Sequence, residues 1–210
     1  MLYYIFSKQT IKKTMLNLPI FRIYVDSTVD GVEKISLVHS PAVESNFLAF
    51  SEDDKKKKAF KFEADEDQHI VFGCSLRADF PIYRREGDFE YYVIFDKQAI
   101  KDIVEKFAKN GNFNNVNLDH KDDTDGIYMT QMFIKDSEKG VSPVGFEDIE
   151  EGSLFTQFKI ENEDVWEKVK DGTYLAFSVE GIFKLDEIKA QQQMEAQNDP
   201  YTEYINELIK

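Results

Sequence analysis

Two short stretches carry the residues best suited to covalent chemistry. Asn115 to His120, Asn-Val-Asn-Leu-Asp-His, ends in an imidazole, and Tyr174 to Gly181, Tyr-Leu-Ala-Phe-Ser-Val-Glu-Gly, holds a serine between apolar neighbours. A serine hydroxyl is a weak nucleophile until a base within hydrogen-bond reach takes its proton, and histidine titrates in the right range for that role. The pair that follows is Ser178 as nucleophile and His120 as base. Both stretches read as β-strands. Phe177 and Val179 flank Ser178, so alternation puts the hydroxyl on the sheet face opposite them. His120 stands where apolar alternation stops and an acidic loop, Lys-Asp-Asp-Thr-Asp-Gly, begins. The expectation is that the two strands lie side by side.

The other reactive side chains have simpler readings. His69 opens a strand after acidic residues and reads as structural, while His39, before Ser40-Pro41, stays ambiguous. Cys74, between Gly73 and Ser75, reads as a small buried hydrophobe. The loop Asp119, Asp122, Asp123, Asp125, Gly126 suggests calcium but fails on spacing. With Gly126 at the glycine position of an EF-hand loop, Lys121 and Met132 fall where its first and last carboxylates belong. No metal and no cofactor are expected.

Composition narrows the class. The 210 residues are 42% apolar and 14% aromatic, enough for one domain with a real core. The net charge of -14 argues against a nucleic-acid binder, which needs a basic face over phosphates. One cysteine excludes an internal disulfide and a cysteine-rich zinc site, pointing to a reducing compartment. No apolar run approaches the roughly 20 residues of a membrane-spanning helix.

The elements that must position Ser178 and His120 are mostly strands. Ile20 to Val25 and Val32 to His39, joined across Asp30-Gly31, read as a hairpin that Pro41 ends. Asn46 to Phe50 resumes β structure, and Ser51 to Lys58 is a solvated charge run. Further strands are Phe60 to Phe62, Ile70 to Leu76, Phe89 to Phe95, Ile127 to Ile134 and Leu154 to Ile160. Arg77 to Arg85 reads as irregular. Asp96 caps a helix whose apolar residues Ile100, Ile103, Val104 and Phe107 recur at helical spacing, with Asn110-Gly111 as its stop. Asn162 caps a shorter one carrying Val165, Trp166 and Val169. Residues 1–17 read as a leader, with Met15 a second candidate start, 18–185 as the domain, and 186–210 as a polar helical tail.

The segment Gly73-Cys-Ser-Leu-Arg-Ala-Asp-Phe-Pro-Ile-Tyr-Arg84, the helix from Asp96, the strand ending at His120, the Val165-Trp166 helix and the Phe-Ser-Val-Glu-Gly strand occur in that order. Together they resemble the phage prohead (capsid maturation) serine proteases over roughly residues 18–185. That family is similar in fold to the herpesvirus assemblins. The resemblance implies an α+β fold: a mainly antiparallel, closed or nearly closed β-barrel flanked by a few helices. In many members a Glu-Val-Ser-Leu-Val strand followed by Pro-Ala comes after the serine strand. Here Lys34-Ile-Ser-Leu-Val-His-Ser-Pro41-Ala42 lies near the N-terminus, which looks like a circular permutation, and the hypothesis places residues 32–39 beside the Ser178 strand.

Carried over, the resemblance implies a serine endopeptidase with His120 as base and Ser178 as nucleophile. The family's orienting acid falls on Lys34, which cannot serve. Glu33, one residue away, is the choice if a bulge re-aims it; His39, Asp122 and Glu180 could also fill the position. Oxyanion donors are backbone N–H groups or an arginine such as Arg84. The implied substrates and partners are phage scaffold and major capsid protein and the chain itself, in the host cytoplasm inside the prohead, with neither nucleic acid nor membrane bound. One rival reading is a catalytically inactive structural or scaffold component of the head with the same fold. Another is a ligand-binding β-barrel, which would show a wide apolar cavity.

Overall fold

The computed structural model describes residues 18–25, 31–38, 63–182 and 184–187. His39, the charge run, the leader and most of the polar tail lie outside the described residues. The elements are β1 (Ile20–Tyr24), β2 (Gly31–Val38), β3 (Glu63–Asp65), β4 (Ile70–Leu76), β5 (Pro81–Glu86), β6 (Phe89–Phe95), α1 (Lys97–Asn110), β7 (Val116–Leu118), β8 (Asp122–Asp123), β9 (Ile127–Ile134), β10 (Leu154–Ile160), α2 (Glu163–Lys170), β11 (Ala176–Ile182) and β12 (Lys184–Glu187). The fold is α+β, mostly strands with these two helices.

The ladders form three four-stranded sheets, β12-β1-β6-β5, β3-β4-β10-β9 and β11-β2-β7-β8. All pairs are antiparallel except β1 with β6 and β2 with β7. Among the described residues the ladders stand as these three sheets and do not join into a closed barrel. The third sheet packs against the second where β11 runs close to β4.

Two local expectations are also corrected. β1 and β2 do not form a hairpin. β1 pairs with β6 and β12, while β2 sits between β11 and β7. A turn signal shows only that the chain can reverse; the partner of each strand is chosen by which apolar faces bury together. Arg77 to Arg85 is not wholly irregular either, since β5 begins at Pro81 and pairs with β6. Pro81 is tolerated because it is the first residue of an edge strand, where its missing N–H costs no central ladder bond.

Both helices form where their caps predict. Asp96 accepts from the Ala99 N–H at 2.8 Å, and Gly111, at φ 69°, closes α1 in the left-handed region glycine adopts without a Cβ penalty. Ile100, Ile103 and Phe107 are its buried stripe, and the helix packs on β2. Asn162 accepts from the Val165 N–H at the start of α2. His69 stacks on Trp166 of that helix with ring centroids 4.5 Å apart, the structural role expected of it.

The third sheet has one apolar face. Ile35, Leu37, Val116 and Phe177 point into the main core with Ile100 and Ile103. Burying side chains of this size contributes about 1.5–3 kcal/mol each. Alternation then delivers the intervening residues of the same strands to the other face.

Candidate active site

β2 supplies Lys34 and Ser36 to that other face, β11 supplies Ser178 and Glu180, and β7 supplies Asn117. The register places them together. Ser178 lies directly opposite Ser36, Glu180 opposite Lys34, and Asn117 beside Ser36. Side chains directly across a ladder share a face with Cβ atoms about 4.5–5.5 Å apart. Contrary to expectation, the Ser178 and His120 strands are thus not adjacent. β2 separates them and contributes its own serine between the two.

His120 is not the last residue of a strand. It occupies the tip of the β7–β8 hairpin, where the Lys121 N–H donates to the Leu118 carbonyl at 3.0 Å. The two residues inside that turn, Asp119 (φ 49°) and His120 (φ 59°), are both left-handed, the requirement of a primed hairpin turn. Each non-glycine residue held this way costs about 1–3 kcal/mol, so the surroundings must enforce it. One such tie is the Asp119 N–H, which donates to the Leu37 carbonyl of β2 at 3.0 Å.

That conformation brings His120 Nδ1 to 2.9 Å from Ser36 Oγ and 3.3 Å from Glu180 Oε2. Asn117 joins both partners: its Nδ2 donates to Glu180 Oε2 at 2.8 Å, and its Oδ1 accepts from the Ser36 hydroxyl. None of these bonds among described residues involves Ser178, which is 8% exposed. Ser178 therefore shares the face with His120 but has no hydrogen bond to it in this structure.

The Glu180 carboxyl is held below its usual range chiefly by the Asn117 amide; burial opposes this, and His120 and Lys34 add smaller lowering effects. It is the ionised partner of the imidazole. Lys34 is turned to Asp123 of β8, and that hydrogen bond is the main reason its ammonium sits above its usual range.

Glu33 stands at a β-bulge. The register passes from Lys34–Glu180 to Val32–Gly181 and leaves Glu33 as the extra, unpaired residue of β2. A bulge is thus present where a role for Glu33 would require one, but the carboxylate that reaches His120 is Glu180. Glu33 is exposed, and its backbone carbonyl accepts from Asn115 Nδ2 at 3.4 Å. Gly181 permits the bulge, because a Cβ there would lie 2.0 Å from the Gly31 carbonyl oxygen. Asp122 takes its place in the backbone of β8, and Arg84 lies on the edge strand of a different sheet.

Ser36 and Asn117 do not stand out in the sequence, although the alternation of Ile35-Ser36-Leu37 and Val116-Asn117-Leu118 already puts a polar group between apolar ones. Burial pushes the Cys74 thiol up to about 12, and its Sγ–H faces the Leu76 carbonyl, so it is no rival nucleophile. Among the described residues no acidic, histidine or cysteine cluster suited to a metal forms. No described helix is long and apolar enough to cross a membrane.

The family described as Putative phage serine protease XkdF matches residues 57–187. The match includes Asn117, His120, Ser178 and Glu180, while β2, with Glu33 and Ser36, lies N-terminal to it. Neither a curated protein nor a solved structure matches the chain.

Proposed function

The chain belongs to the putative phage serine protease XkdF family, and on that premise we propose that it is a serine endopeptidase of phage head maturation. The observation that carries the reading is one sheet face on which an imidazole from the β7–β8 turn meets an ionised carboxylate of β11, with a serine two residues before that carboxylate on the same face. Ser178 attacks the scissile carbonyl as His120 takes its proton; the proton then passes to the leaving amine, and water releases the acyl-enzyme. Glu180, in place of Glu33, orients the imidazole. Catalytic hydrogen bonds commonly tighten only when substrate is bound, so the open Ser178–His120 gap is compatible with the mechanism.

The substrates are scaffold and capsid-protein segments and the chain itself, inside the prohead in the host cytoplasm. The net charge of -14 favours an enzyme that releases peptide without holding DNA. The pairing of β2 with β11 is what a circularly permuted relative of the assemblin barrel requires, with the β4–β11 approach as the remnant of closure.

A second reading, a head component that keeps the fold without catalysis, draws on the missing Ser178–His120 bond and on Lys34 at the family's acid position. Co-expression with the scaffold and capsid proteins of the same phage separates the two. Wild type shortens them on a denaturing gel and Ser178→Ala does not. Equal processing by both proteins would exclude the protease reading.

A further inference from the structure

We infer that Asn117 is a positioning residue that decides which ring nitrogen of His120 carries the proton, and that Ser36 is its intermediary and not a nucleophile. The inference rests on the protease reading only in its consequence for Ser178.

The argument is a count of protons. A serine hydroxyl has one proton to donate, and Ser36 gives it to Asn117 Oδ1. Toward His120 the Ser36 oxygen is then only an acceptor. Ionised Glu180 is an acceptor too, so both groups that face Nδ1 require a proton on it. The lone pair is left on Nε2, the nitrogen that does not face Ser36. A base acting through Nε2 cannot deprotonate Ser36, and Ser178 is the other hydroxyl on this face.

The amide orientation that sets this up is itself enforced. Flipping Asn117 would put its oxygen against the Glu180 carboxylate and its NH2 against the Ser36 oxygen. Ser36 would then have its proton free to donate to Nδ1, reversing the tautomer. Asn117 and Ser36 are 2% and 0% exposed, so water cannot readily substitute for either partner. The titratable groups that face Glu180 are His120 from the β7–β8 turn and Lys34 from β2, the latter shared with Asp123 of β8. Asn117 is the neutral group that ties them into one arrangement.

The test uses the full chain and a fluorophosphonate probe, which needs no knowledge of the natural substrate. A serine oxygen attacks phosphorus, the oxygen–phosphorus bond forms, fluoride leaves, and the hydroxyl proton passes through the base to solvent. Mass spectrometry is expected to place the label on Ser178, with Ser36→Ala still labelled there. Asn117→Ala is expected to slow labelling by about 10²-fold or more, as loss of the correct tautomer does in serine triads. Its acid limb moves to higher pH, because Glu180 loses the donor that most lowers its carboxyl. Asn117→Asp, nearly isosteric, sets a second carboxylate against Glu180 and moves the limb the same way. Nitrogen-15 spectra of the His120 ring read the tautomer independently of activity, with the proton on Nδ1 in wild type.

Label on Ser36, a wild-type proton on Nε2, or Asn117 variants with unchanged rate and pH profile would each overturn the inference. If Ser178 is never labelled while the ring still shows the Nδ1 proton in wild type and loses it in Asn117→Ala, the tautomer assignment stands and the protease reading falls.

Discussion

Lys135 is buried and His120 is exposed at a hairpin tip, and the chain treats these two polar groups in opposite ways. Lys135, 3% exposed, spends its three ammonium protons on the carbonyls of Phe146, Glu147 and Ile149 at 3.2, 2.9 and 2.6 Å, with Glu151 at 3.7 Å. Nothing is left over. Nearby, Arg77 grips Glu150 through two nitrogens and lies over the Phe80 ring, pinning the same connection between β9 and β10. At His120 the bonding reaches only Nδ1, and the neighbouring Ser178 hydroxyl takes no part in it. Structural polarity here means every donor is committed; the polarity of the candidate site holds one base and one hydroxyl in reserve.

The largest effect that could break this comparison is at the reserve itself. Ser178→Ala is expected to lower the cleavage rate by about 10⁴-fold or more, with the melting temperature almost unchanged. A large loss of stability instead would put Ser178 with the committed groups. Glu180→Gln comes next, at about 10²–10⁴-fold in kcat with little change in KM. Its neutral amide neither balances an imidazolium nor insists on the Nδ1 proton. An effect confined to KM would mean that Glu180 meets substrate and not the imidazole.

Lys135→Met sharpens the other side. Leaving three carbonyls without a donor at about 1–3 kcal/mol each predicts a loss of roughly 3–9 kcal/mol in a denaturant titration. The activity per folded molecule should hold, and a matching fall in kcat would contradict the division. Gly181→Ala is expected to do both kinds of damage: about 1–3 kcal/mol from overpacking against Gly31, and a displaced Glu180 beside it. Smallest is the pH effect. Because the Glu180 carboxyl is lower in the folded chain, its contribution to stability is full above the unfolded carboxylate pKa of about 4.3 and fades as pH falls through the folded value. Acid titration of Glu180→Gln should lack that step.

Much of the scaffold is legible in the sequence because it is local. The Asp96 cap, the Ile100, Ile103, Phe107 stripe and Gly111 define α1 without help from the rest of the chain, and β9, β10 and α2 follow from similar patterns. Alternation also tells correctly that Ser178 faces away from Phe177 and Val179. It cannot tell which strands are neighbours. Periodicity reports a residue's face and is silent about the strand across the ladder, so it joins β2 to β1 and misses its place between β7 and β11. The choice of Glu33 has a different source: the family resemblance puts the acid at Lys34, and Glu33 is the neighbouring carboxylate. A bulge does lie there, but Glu180 reaches His120 from across the ladder, opposite Lys34.

The position of β11 along the chain has a consequence for timing. A ribosome that has added residue 170 has already made the strand bearing Ser36 and the turn bearing His120, yet Ser178 and Glu180 do not exist. The half-made polypeptide carries an imidazole with neither its carboxylate nor its hydroxyl. Under the protease reading, a nascent chain is therefore harmless to itself and to its neighbours until synthesis has passed the end of β11.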